Sequence, residues 1–116
     1  MKKVVVLLMC AVVLLVGDKS GIESNFDAKK AYEQGEAFYN NKEYDKAFEP
    51  FKKACDSGNM RGCFNLGLMY AFGSGVEKNE QKAAELLKKA CDGGETNGCR
   101  GLDIIYANGN GVEKTR

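Results

Sequence analysis

Two parts of this chain repeat each other at a fixed offset of 36 residues. Cys55 and Cys63 recur at that offset as Cys91 and Cys99, and the motif Lys-Lys-Ala-Cys-Asp around the first cysteine recurs with them. The segment 70–78 also recurs with few changes. Agreement of several segments at one offset indicates an internal duplication, so the chain is predicted to fold as a short array of like units. A length of 116 residues fits one small domain or such an array.

Each unit is predicted to contain two helices. In helix A, residues 59–72, small and apolar residues fall at i, i+3, i+4 and i+7, which places them on one helical face. Gly73 and Gly75 then end helix A, because glycine readily adopts the positive φ of a C-terminal cap. Asn79 is the expected N-cap of helix B, residues 80–92. The residues on the predicted inward faces are Cys63, Leu66, Gly67 and Tyr70 in helix A, and Ala83, Leu87, Ala90 and Cys91 in helix B.

An upstream unit, residues 27–58, follows the same pattern with a shorter loop. Its step from Gly35 to Ala47 is 12 residues, whereas the corresponding step in the unit 59–94 is 16. A third unit, 95–116, offers a helix A and a loop but no helix B. This partial unit is either a single-helix C-terminal cap or a truncated unit, and its loop repeats a mid-array sequence, which favours truncation. The predicted core residues of the upstream unit are Ala31, Gln34, Gly35 and Phe38 in helix A, and Tyr44, Ala47, Phe51 and Ala54 in helix B.

The units resemble known repeat families. The first resembles a tetratricopeptide repeat, and the second, with Leu-Gly-x-x-Tyr at 66–70 and Gly-x-Gly at 73–75, resembles a Sel1-like repeat. The Ala-Cys-Asp ending and the second cysteine eight residues later are similar to the secreted cysteine-rich Sel1-repeat (Hcp) proteins of Helicobacter. The resemblance implies an all-α fold, an α/α solenoid of stacked helix pairs with disulfides between helices. Asp103 and Gln34 depart from the family pattern, which has glycine and leucine at these positions, and Asp103 puts close packing there in doubt.

The N-terminal residues form a pattern of their own. A short basic start is followed by an uncharged apolar run, residues 4–16, which is the layout of a secretory signal peptide. The run is shorter than the about 20 helical residues needed to cross a membrane. A signal peptide at 1–17, with cleavage within 17–24, and a linker at 18–26 are therefore predicted. The mature protein would be periplasmic or secreted, without a stable membrane span; a lipoprotein signal and a retained anchor are the alternatives.

Removal of the signal peptide discards Cys10 and leaves four cysteines. An even number in an oxidising compartment indicates disulfides. Local pairing as Cys55–Cys63 and Cys91–Cys99 is predicted, because each pair repeats as a unit and glycines lie in the intervening turns. The alternatives are a four-thiolate metal site and a redox dithiol, but both use closer cysteine spacings than this chain has. No metal or cofactor is therefore predicted.

No residue of the chain can be nominated as catalytic. The sequence has no histidine, which removes His-based nucleophile pairs and His-ligated zinc. None of the four serines is followed by lysine three residues later, as serine β-lactamases require. The Hcp proteins are commonly classed as β-lactamases, so the resemblance implies, as an alternative, β-lactamase or penicillin-binding activity on a β-lactam or peptidoglycan-related ligand. The formal net charge of +1 argues against a nucleic-acid partner.

The residues favour a binding module. Stacked helix pairs form a superhelix whose inner wall, lined mainly by A helices, is an extended binding surface. By the register of the tetratricopeptide resemblance, the groove residues are Lys29, Tyr32, Glu36 and Tyr39 in the first unit, Arg61, Phe64, Leu68 and Phe72 in the second, and Asn97, Arg100 and Ile104 in the third. Alternatively, several of these side chains pack between neighbouring helices. The sequence thus predicts an exported, disulfide-stabilised repeat protein that binds a protein or peptide partner.

Overall fold

The computed structural model describes residues 26–108, which form an all-helical array without a strand in that range. The helices are α1 (26–40), α2 (Tyr44–Asp56), α3 (Met60–Phe72), α4 (Glu80–Asp92) and α5 (Thr96–Ala107). Each helix packs against the next along the chain. The predicted α/α solenoid with disulfides between helices is therefore confirmed.

Parts of the predicted organisation lie outside the described residues. These are the signal peptide, the linker up to residue 25 and the final loop from residue 109 onward. Helix α1 includes residue 26, the last position of the predicted linker. Among residues 26–108, no helix is long and apolar enough to cross a membrane.

The ends of α3 and α4 lie where their capping residues place them. The Asn59 side-chain oxygen accepts a hydrogen bond from the backbone N–H of Gly62 at 3.0 Å. Asn79 accepts one from Lys82 N–H at the same distance, which confirms Asn79 as an N-cap. Gly73 ends α3 with φ 68°, a left-handed conformation that costs glycine little. The predicted helices A and B of this repeat thus match α3 and α4 to within one residue.

The core consists of two connected clusters along the array. Phe51 and Met69 are fully buried in the first, and the rings of Tyr32 and Tyr39 lie 5.8 and 6.1 Å from the ring of Phe51. The second cluster contains Leu87, which is 1% exposed. It is completed by Ala83, Ala84, Leu102 and Ile105. The apolar faces read from the helical period therefore form the interior, as expected for an amphipathic array. The prediction of Gln34 as a core residue is wrong: its side chain is exposed, since a buried amide would need hydrogen-bond partners that an apolar core does not supply.

One disulfide joins each B helix to the following A helix. Cys55 in α2 is bonded to Cys63 in α3, and Cys91 in α4 to Cys99 in α5. The Cα atoms are 4.5 and 4.7 Å apart, within the range that a disulfide accepts. Each bond therefore fixes two sequential helices at the turn between repeats.

Charged side chains on the B helices also follow the repeat. Lys52 Nζ lies 3.2 Å from an Asp56 carboxylate oxygen, and the equivalent pair Lys88–Asp92 is at 2.8 Å. The hydrogen bond from Lys88 to Asp92, together with their Coulombic attraction, raises the pKa of the lysine. These pairs are exposed, and exposed ion pairs contribute little to stability, so the core and the disulfides hold the array together.

Candidate functional site

The structure forms an apolar cavity between helices α3 and α5. Its volume is about 250 Å³. Its lining residues are Leu68, Ala71 and Phe72 from α3, Lys78 from the following loop, Glu80 and Leu87 from α4, and Gly101, Ile104, Ile105 and Asn108 from α5 and its end. Three of the predicted groove residues, Leu68, Phe72 and Ile104, meet in this cavity.

The mouth of the cavity exposes two large apolar side chains. Phe72 is 72% exposed and Ile104 is 59% exposed, whereas Leu87 beneath them is fully buried. Large apolar residues that remain in water at a concave surface commonly mark a binding site. The arrangement is suited to enclosing an apolar group between α3 and α5.

Three other predicted groove residues contribute to the core instead. Tyr32 and Tyr39 are half-buried and pack on Phe51. Tyr39 also lies edge-on to Tyr44, with ring centroids 5.0 Å apart. Phe64 is half-buried between the two core clusters. Their aromatic rings thus serve mainly to join the helices.

The remaining predicted groove residues are polar and exposed. They are Lys29, Glu36, Arg61, Asn97 and Arg100. Neither Arg61 nor Arg100 forms a salt bridge with any residue of the described range. Both guanidinium groups are therefore free to pair with a carboxylate brought by a ligand.

The cavity edge carries one ion pair. Lys78 Nζ lies 3.2 Å from a Glu80 carboxylate oxygen. The lining residues include no serine, cysteine or histidine, and the side chains of Lys78 and Glu80, residue types that can act as nucleophiles, are paired with each other here. Across residues 26–108, no group of three carboxylate, thiol or imidazole side chains is placed to hold a metal ion.

Several lining residues were not predicted from the sequence. Lys78 and Glu80 lie at the end of the longer intra-repeat loop. The four extra residues of that loop were the sequence feature that could have indicated their part in the cavity. Leu87 was predicted only as a core residue of helix B. Gly101 and Ile105 were not among the predicted groove residues; Gly101 lies against Leu87 of α4, and Ile105 packs in the second core cluster.

Comparison with known proteins identifies relatives over much of the chain. The family model for the Sel1 repeat matches residues 14–59 and 61–95, together more than half of the sequence. The chain is 39% identical over 78 residues to a Helicobacter pylori J99 protein named "Putative beta-lactamase HcpC", a match that covers 67% of this chain and 26% of that protein. The chain therefore spans about a quarter of the length of HcpC.

Two further matches are shorter. A cytochrome c oxidase assembly factor 7 homolog of Drosophila melanogaster is 52% identical over 40 residues, covering 34% of this chain and 15% of that protein. HcpE of Helicobacter pylori J99 is 45% identical over 42 residues, covering 36% of this chain and 12% of that protein. HcpE, like HcpC, is named a putative beta-lactamase, whereas the Drosophila protein is named an assembly factor, so the names of these relatives do not agree on one function.

Proposed function

This chain belongs to the Sel1 repeat family, and we propose that it is a protein-binding module that holds a peptide segment of its partner in the groove between α3 and α5. The single observation that carries this proposal is the apolar cavity beneath two exposed side chains, Phe72 and Ile104. The cavity binds one bulky apolar side chain of the partner, and the exposed polar residues of the inner wall contact the flanking peptide.

The size and composition of the cavity support an apolar anchor. Its volume of about 250 Å³ exceeds the roughly 150 Å³ of an engineered apolar cavity that binds benzene. Phe72 and Ile104 would lose water contact on both sides of the bound side chain. Complete burial of such a side chain is worth about 1.5–3 kcal/mol, so the anchor and its two neighbours contribute favourably against the cost of association.

The free guanidinium groups suggest where a charge in the peptide would lie. Arg61 is seven residues from Leu68 on α3, a distance of about 10 Å along the helix axis. An extended peptide covers that distance in about three residues. The preferred partner segment therefore has an acidic residue about three positions from its apolar anchor, where Arg61 can form a charge-assisted hydrogen bond.

We further propose that the module acts outside the cytoplasm, in the periplasm or after secretion. Two disulfides in a small domain are typical of oxidising compartments and rare in cytosolic proteins. The basic and apolar N-terminal segment and the similarity to HcpC support the same location.

Selection of peptides on the purified, oxidised protein tests this function. A random peptide library should be enriched for sequences that contain a leucine, methionine or aromatic residue near an acidic residue. Phe72→Ala and Ile104→Ala should each weaken the selected peptide by about tenfold or more, the loss expected when an interface anchor is removed. Phe26→Ala is the matched control, because Phe26 is 62% exposed and does not line the cavity.

The binding proposal has two contrary outcomes. No enrichment of any peptide would reject it, and an equal effect of the Phe26 and Phe72 variants would reject the cavity as its site.

The names of HcpC and HcpE make β-lactam hydrolysis or penicillin binding the alternative function. The cavity lining supplies no serine nucleophile, so we expect purified protein to show neither nitrocefin turnover nor covalent labelling by a fluorescent penicillin. Turnover that persists in the Ser74→Ala variant and is lost in Phe72→Ala would instead assign catalysis to the cavity.

A further inference from the structure

The two disulfides have the same connectivity but different surroundings. Cys55 and Cys63 are 1% and 0% exposed and form part of the first core cluster, where Ala90 is also buried. Cys91 and Cys99 are both partly exposed and belong to neither core cluster. An external thiol can therefore reach the second bond in the native fold, whereas the first must be uncovered by local unfolding.

The accessible bond also holds one wall of the cavity. Helix α5 supplies Gly101, Ile104 and Ile105 to the lining. The noncovalent attachment of α5 rests on Leu102 and Ile105, which pack with Leu87 in the second cluster. The disulfide from Cys91 to Cys99 is the covalent attachment across the turn between α4 and α5.

We propose that Cys91–Cys99 is a reducible clamp on the peptide groove, opened selectively by a dithiol reductant while Cys55–Cys63 stays intact. A thiolate of the dithiol attacks one sulfur of the bond, forms a mixed disulfide and releases the other cysteine as a thiolate. The second thiolate of the dithiol then attacks the mixed disulfide, which releases the second cysteine. The protein bond gains two electrons and two protons, and the dithiol leaves as its cyclic disulfide.

Opening the clamp loosens α5 and so the wall of the cavity. In the chain-entropy model, a disulfide that closes a loop of nine residues lowers the entropy of the opened chain. Without the disulfide, the equilibrium constant for opening is about 80-fold larger. The reduced protein therefore opens α5 about 80-fold more often, while α1 to α3 keep their disulfide and their core. The effect on ligand binding rests on the proposed function, because it needs a peptide between α3 and α5.

The order of reduction is the first test. The folded, full-length protein is treated with limiting dithiothreitol, trapped with N-ethylmaleimide and mapped by mass spectrometry. Cys91 and Cys99 should be labelled at least about tenfold faster than Cys55 and Cys63, because only the latter require local unfolding. In denaturant the two bonds should be reduced at similar rates. Equal rates in the folded protein, or prior labelling of Cys55 and Cys63, would overturn the proposal.

The second test measures the mobility of α5 without a ligand. Hydrogen exchange of the Ile104 and Ile105 amides is compared between the oxidised protein and a Cys91→Ser, Cys99→Ser double variant. Exchange should be about 80-fold faster in the variant and unchanged in α3. Unchanged exchange in α5 would overturn the clamp. If the oxidised protein selects no peptide, the proposed binding function is wrong. The two measurements above still show whether Cys91–Cys99 is reduced first and whether its loss frees α5.

Discussion

The packing of α5 on α4 predicts different effects of alanine at two glycines of α5, Gly98 and Gly101. An ideal Cβ atom at Gly98 would lie 2.8 Å from the Leu87 carbonyl oxygen and 2.9 Å from the Cys91 backbone nitrogen. A Cβ at Gly101 would lie 3.2 Å from Cδ1 of Leu87, the end of a flexible side chain. Alanine at Gly98 must therefore push the two helices apart, whereas alanine at Gly101 needs only a small side-chain adjustment.

The expected magnitudes follow from two opposing effects. Both substitutions gain about 1 kcal/mol in helix propensity, since alanine is a better helix former than glycine. Overpacking opposes this gain at Gly98 and costs about 1–3 kcal/mol, with the upper part of the range favoured because backbone atoms cannot rotate away. We expect Gly98→Ala to lower the free energy of unfolding by about 1–2 kcal/mol and Gly101→Ala to leave it unchanged or raise it by up to about 1 kcal/mol.

Urea unfolding of the oxidised proteins, followed by far-ultraviolet circular dichroism, measures this difference. Equal m values would show that the two variants expose similar surface on unfolding, so that their midpoints can be compared directly. In thermal unfolding, each 1 kcal/mol corresponds to a shift of about 4–8 °C in a domain of this size. If Gly98→Ala is as stable as Gly101→Ala, then α4 and α5 do not approach as closely as the structure shows, and the reasoning is wrong.

Four further substitutions test other contacts. Asn79→Ala should cost about 1 kcal/mol in urea unfolding because a helix N-cap is lost, and Glu95→Ala should cost less because the hydrogen bond it accepts is 3.4 Å long. Gly75→Ala should lower the free energy of unfolding by more than the about 1 kcal/mol lost when alanine replaces a positive-φ glycine, because its Cβ would lie 2.5 Å from the Tyr44 carbonyl carbon; a smaller loss would mean that this loop does not contact α2. Phe51→Ala should cost about 3–5 kcal/mol, and retention of the wild-type midpoint would show that Phe51 is not the centre of the first cluster.

The helices were predictable from the sequence because the repeat supplies the same information twice. A single helical pattern is ambiguous at its ends, but Asn79 and Gly73 mark the ends chemically, and both act as the caps expected. Helix α2 departs from the rule that proline in a helix interior breaks or kinks the helix, since α2 continues through Pro50. The burial of Ala47 and Phe51 on the same helix compensates for the hydrogen bond that proline cannot donate.

The groove was predictable only in part because register does not determine how far each side chain is covered. Tyr39 and Phe72 were assigned to the same inner wall, yet Tyr39 lies half-buried against Phe51 while Phe72 is 72% exposed. The difference depends on the neighbouring helix, because α2 offers the Phe51 ring to pack against Tyr39, whereas Phe72 has no ring contact with another residue of the range 26–108. Sequence periodicity describes one helix at a time and does not contain this information.

One lining position of the cavity differs between the repeats. Gly101 occupies the position that Asn65 has in the preceding repeat, 36 residues earlier. Gly101 has no side chain and lies against the buried side chain of Leu87, and both residues line the cavity together with Ile104. The shared positions therefore specify the helices and disulfides, while a position that breaks the repeat, Gly101, contributes to the lining of the cavity. For a repeat protein of this kind, specificity is to be sought at positions that break the repeat and lie on its inner wall.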